Sequence, residues 1–82
     1  MEKIIGYKQA KALMTEGCKV QESAQIRGGN LARIKRPSGE LAERIRSDSW
    51  DKLRKECKLI EKIADGTRGQ NRRYIWEIVR NG

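Results

Sequence analysis

Histidine and phenylalanine are absent from the 82-residue chain, while proline occurs once, cysteine twice and aromatic residues four times. Without histidine, Cys18 and Cys57 cannot complete the four nitrogen and sulfur ligands of a structural zinc site, so no metal centre is expected. The same absence removes the commonest general base. No glycine-rich phosphate loop opens a helix, and neither cysteine has a base beside it in the chain, so the expectation is a protein that is not an enzyme and carries no cofactor. No apolar run approaches the ~18 residues that span a membrane. The opening Met1-Glu2-Lys3-Ile4-Ile5-Gly6 also lacks the apolar segment of a signal peptide, and the chain reads as cytoplasmic, without a membrane partner. In a reducing cytoplasm the two cysteines serve as small buried hydrophobes.

Charge is what the chain has in quantity. Nineteen Lys and Arg against eleven Asp and Glu leave a formal +8, which favours an acidic partner, nucleic acid being the commonest. The length allows one domain, 1–82. Either half alone would sit near the ~40 residues below which a chain cannot bury enough apolar surface, so the halves share one core.

The halves also resemble each other. Cys18-Lys19-Val20-Gln21-Glu22 before Arg27-Gly28-Gly29-Asn30 returns as Cys57-Lys58-Leu59-Ile60-Glu61 before Arg68-Gly69-Gln70-Asn71. Ile5, Leu13 and Glu16 align with Ile45, Leu53 and Glu56, and the offset changes at Gly17 and before Arg68, where loops tolerate insertions. These matches predict pseudo-repeats 1–38 and 39–82, each a strand, a helix and two strands. The fold class expected is α+β, with two βαββ-like repeats forming a mostly antiparallel sheet under two helices.

In detail, strands are expected over Met1 to Ile5, Cys18 to Glu22, Leu31 to Arg36, Leu41 to Ile45, Cys57 to Ala64 and Arg72 to Arg80. Ala10, Leu13 and Met14 lie at helical spacing between Tyr7 and Glu16, and Gly17 stops that helix. Ser47-Asp48-Ser49 reads as the cap of a second helix, with Trp50 and Leu53 facing inward. Pro37-Ser38-Gly39 is the turn at the seam. Apolar residues on both faces of the last strand predict a central strand covered on both sides. A winged helix-turn-helix is the alternative parse, with Glu40 to Ile45 and Ser49 to Ile63 as helices. It leaves Cys18 to Pro37 as an overlong insertion.

The expected function is nucleic-acid binding through phosphates, by Arg27, Arg33, Lys35, Arg36, Arg68, Arg72 and Arg73. Arg27 and Arg68 sit beside glycine at the two hairpin tips, where a backbone can approach phosphate and a guanidinium can pair two of its oxygens. Arg33, Lys35 and Arg36, followed by Arg44 and Arg46, form the densest positive stretch. Tyr74 and Trp76 share a strand face, which beside Arg72 and Arg73 offers a stacking surface for single-stranded bases, unless they fill the core. Glu22 and Glu61 recur at matching positions and would suit a paired carboxylate site, although cross-strand ion pairs with nearby lysines are their ordinary use. The alternative function is a protein-interaction module or small inhibitor docking on an acidic protein surface.

Overall fold

The computed structural model describes residues 3–24, 31–65 and 71–79. The elements run β1 (Ile4–Ile5), α1 (Tyr7–Thr15), β2 (Lys19–Ser23), β3 (Leu31–Lys35), β4 (Leu41–Ile45), α2 (Ser47–Arg54), β5 (Cys57–Asp65) and β6 (Asn71–Ile78). They make an α+β domain with one six-stranded sheet, in the order β1-β4-β3-β2-β6-β5. Only the β1–β4 pair is parallel.

α1 forms where Ala10 and Met14 stack one turn apart on a single face, and both are buried. It ends at Gly17, whose φ of 117° lies in the region that side chains disfavour. The Gly17 N–H donates to the Met14 carbonyl and the Cys18 N–H to the Leu13 carbonyl, each at 3.1 Å, which closes a Schellman cap over the last turn. Gly17→Ala meets no neighbouring atom, so its cost comes from the backbone alone. It should destabilise the domain by about 1–2 kcal/mol, read as a lower urea midpoint at unchanged slope.

α2 starts one residue earlier than its polar run suggests. Arg46 is the residue before the helix and its side chain accepts no capping hydrogen bond, while Asp48 lies within the first turn, near the positive end of the helix dipole. Trp50 and Leu53 point inward, at 3% and 0% exposure. With Met14, Val20, Ile34 and Ile45 they fill the core between the helices and one sheet face. Each such side chain contributes roughly 1.5–3 kcal/mol on burial.

The register identifies the residues on that face. Val20 lies opposite Ile34 and Trp76, and Ala32 opposite Ile45. Residues opposite one another share a face, so the helices cover the Val20 face and leave the Gln21 face open. β6 is therefore central, with helices on one side only, yet its other side is buried too at this point, as the expectation of cover on both predicts: Gln21, paired with Ile75, is 8% exposed. Ile75, on the open face, is still only 2% exposed. It lies at the bottom of a groove whose other lining residues are Lys19, Lys35, Arg36, Pro37, Gly39, Ile60 and Glu61.

The winged-helix alternative fails at Leu41–Ile45, which is a strand, and at residues 57–63, which belong to β5. β-branched Ile60 and Ile63 suit the strand better than an extended helix. The element order does run strand, helix, strand, strand twice, but the sheet does not repeat. β2 pairs on both sides, with β3 and β6, whereas its counterpart β5 is an edge.

Candidate nucleic-acid interface

The open face carries part of the chain's positive charge in a particular arrangement. Lys19 of β2 lies directly opposite Lys35 of β3, and Arg33 of β3 directly opposite Arg44 of β4. Arg33 and Lys35 are two residues apart on one strand, so all four cations project from adjacent positions of the same surface. Paired strands lie about 4.8 Å apart and alternate residues about 6.7 Å, so the four occupy a patch roughly 10 Å across. Like charges directly opposite each other destabilise a sheet, and here two such pairs are neighbours. Lys19, Lys35 and Arg44 make no ion pair among the described residues.

The remaining candidates divide. Arg73 is on the open face, opposite Ser23 and Ile63, near the far end of β2. Arg72 is exposed and faces the helix side, one position along the alternation of β6. Arg36 leaves β3 into the turn before β4, and its guanidinium lies 3.0 Å from Glu43, so part of its charge is already compensated. Arg27 and Arg68 lie outside the described residues. Arg44, part of the positive stretch read from the sequence, and Lys19, which sequence reasoning missed, complete the patch. The period-two alternation of β2 and β4 contains them, but only the strand order brings them beside Arg33 and Lys35.

The aromatic residues all sit elsewhere. Trp50 is in the core and meets Trp76 edge to face, with ring centroids 5.8 Å apart. Trp76 packs against the same core, and its indole N–H donates to Glu22 Oε1 at 3.1 Å. Tyr74 faces the helix side, with the Lys62 ammonium 5.9 Å from its ring. Tyr7 donates its hydroxyl to Glu56, while the Lys52 ammonium lies 4.7 Å from the ring. Tyr74 and Trp76 share a face, as expected, and Arg72 lies on it with them, but Arg73 is on the opposite face and Trp76 is packed against the core, so the four do not form one stacking surface.

Glu22 and Glu61 are also separated by the sheet. Glu22 lies opposite Tyr74 and Glu61 opposite Ile75, the next residue of β6, so the carboxylates point to opposite faces. The cause is a bulge at Ile60, where the register slips between Leu59 and Glu61 and one extra residue reverses the alternation. Glu22 is 3% exposed and its ordinary use is also not a lysine pair: it takes the Trp76 indole and lies 3.7 Å from Arg54 of α2. Among the described residues no three Cys, Asp or Glu side chains come together as a metal-binding group.

Two local features tune ionisation away from the patch. Burial pushes the Cys57 thiol up to about 11, with the Glu56 charge adding to the effect. Cys18 is buried, and both cysteines are free thiols. The Lys11 ammonium, 2.8 Å from Glu56 Oε1, is the main cause that holds the Glu56 carboxyl below its ordinary value, and the Tyr7 hydroxyl adds to it. A lowered carboxylate pKa stabilises the fold above the unfolded value and loses that contribution as pH falls through the folded one. Glu56→Gln should therefore melt earlier than the parent protein at neutral pH. The two melting temperatures should converge under acid conditions well below the ordinary carboxylate range, and a constant gap across the series would contradict the assignment.

Compared with protein-family models, with known proteins and with solved structures, the chain has no match. No helix among the described residues is long and apolar enough to cross a membrane.

Proposed function

We propose that this protein binds nucleic acid through the phosphate backbone, using the open face of its sheet. The observation that carries the reading is the pair of directly opposed cation pairs, Lys19 with Lys35 and Arg33 with Arg44. Like charges set opposite one another disfavour a sheet, and a polyanion laid across the patch offsets that repulsion and releases counterions. The net +8 supports the same reading, because it draws a polyanion to the protein from a distance. Lys19, Arg33, Lys35 and Arg44 form the centre, and Arg73 extends the surface toward the far end of β2. The role is one of binding, without catalysis.

The test is anisotropy of a labelled 20-base-pair DNA duplex across a salt series. Four phosphate contacts predict a slope of log affinity against log salt of about −3.6. No binding at low salt would remove the proposal.

An acidic protein surface is the second reading, favoured by apolar residues among the cations. Ile4, opposite Arg44, is 54% exposed, and Leu41, opposite Lys35, is 41% exposed. A partner that stays bound in cell extract after complete nuclease digestion, and is released by Lys35→Glu, would favour this second reading.

A further inference from the structure

Resting on that reading of the open face, we infer that its ligand is a double-stranded nucleic acid, held as a duplex and not as separated strands. Proteins that hold single strands add stacking of bases on aromatic rings to their phosphate contacts, and each stacked base contributes substantially to affinity. This chain has four aromatic residues, all of them described, and none belongs to the open face. Trp50 is enclosed in the core, and Trp76 is held against it by its bond to Glu22. Tyr7 is tied to Glu56 between the helices, and Tyr74 lies across the sheet from Arg73.

The Ile60 and Ile75 side chains in the groove beside Lys19 and Lys35 offer no π surface for a base. What remains is a patch of charge on three paired strands. A duplex presents one phosphate per about 1.7 Å of its axis in a fixed geometry, and it releases more counterion per contact than a flexible strand. Such a patch rewards the ligand with the higher and better ordered charge. The selectivity is one of charge density and shape, with no base edge read by these four side chains.

The experiment compares a 20-base-pair duplex with each of its two strands alone, at equal nucleotide concentration over the same salt series. Duplex is expected to bind at least tenfold tighter at moderate salt, with the steeper slope of about −3.6 against about −2.8 for a single strand contacting as many residues. Tyr74→Leu, checked for fold by circular dichroism, is expected to leave both affinities within twofold of the parent protein. Single strands that bind as tightly as duplex overturn the inference while leaving the phosphate-binding face intact. A tenfold loss of single-strand affinity in Tyr74→Leu overturns it in the same way. Absence of binding to all three probes overturns the binding face and the inference together.

Discussion

Lys35→Glu is expected to make the domain more stable and to bind duplex DNA at least tenfold more weakly. Lys35 lies directly opposite Lys19 on the open face, so the substitution replaces a repelling cross-strand pair with an attracting one. Such pairs are worth roughly 0.2–1 kcal/mol in either direction. Glu61 stands across the same groove and opposes part of the gain. A net stabilisation of about 0.5 kcal/mol follows, which at about 4–8 °C per kcal/mol raises the melting temperature by about 2–4 °C. Binding moves the other way. One phosphate contact is lost and a carboxylate is set against the backbone, for about 1.4 kcal/mol or more, which is a factor of ten. Lys35→Gln should lie between the two, with its salt slope shallower by about 0.9. The opposite signs are the diagnostic feature, since a variant that binds poorly through misfolding would also melt early. A variant that is more stable and binds DNA normally would show the opposed lysines to have no part in binding.

Glu22→Ala carries the largest expected loss of stability, about 3 kcal/mol. The carboxylate is 3% exposed and accepts the Trp76 indole at 3.1 Å, so removing it leaves a half-buried N–H without its partner. A hydrogen bond to a charged group is worth about 1.5–3 kcal/mol, and the space left beneath the sheet adds to the loss. The Arg54 contribution is smaller. Its side chain is 42% exposed and can return to water, which keeps the pair near the value of a surface ion pair. The melting temperature should fall by more than about 10 °C. Glu22→Gln retains an acceptor for the indole and loses chiefly the attraction to Arg54, so it should cost under about 1 kcal/mol. Equal losses in the two variants would mean that charge, rather than the indole bond, holds this corner of the core. Neither substitution touches the open face, so DNA affinity measured well below the melting temperature should be unchanged.

Much of the fold was legible because its signals are local. Ala10 and Met14 mark the buried side of α1, and Gly17 ends it through a backbone angle that only glycine adopts cheaply. The single proline and Gly39, at φ 96°, announce the turn between β3 and β4. Leu41–Ile45 is expected as a strand because it matches Met1 to Ile5 in the other half, and it is one. The start of α2 was less legible, since a run of serine and aspartate suits a cap and a first turn equally well.

The candidate interface was legible in part. Arg33 and Lys35 alternate onto one face, and period two is visible in a sequence. Arg44 is visible as part of the positive stretch that follows Arg33, but Lys19 is hidden because its relevance depends on which strands are neighbours, and strand order is set by long-range pairing. Glu22 and Glu61 illustrate the limit most directly. They occupy matching places in the two halves, yet the bulge at Ile60 turns one away from the other.

By itself, then, the sequence determined the α+β class, the helix that ends at Gly17, the turn at Pro37 and the excess of positive charge. These rest on backbone preference, apolar spacing and composition, each complete within a few neighbouring residues. Only the tertiary structure decided which cations meet, which face stays uncovered and where the aromatic rings go. Those outcomes depend on sheet order and register, in which a single extra residue moves a side chain from one face to the other.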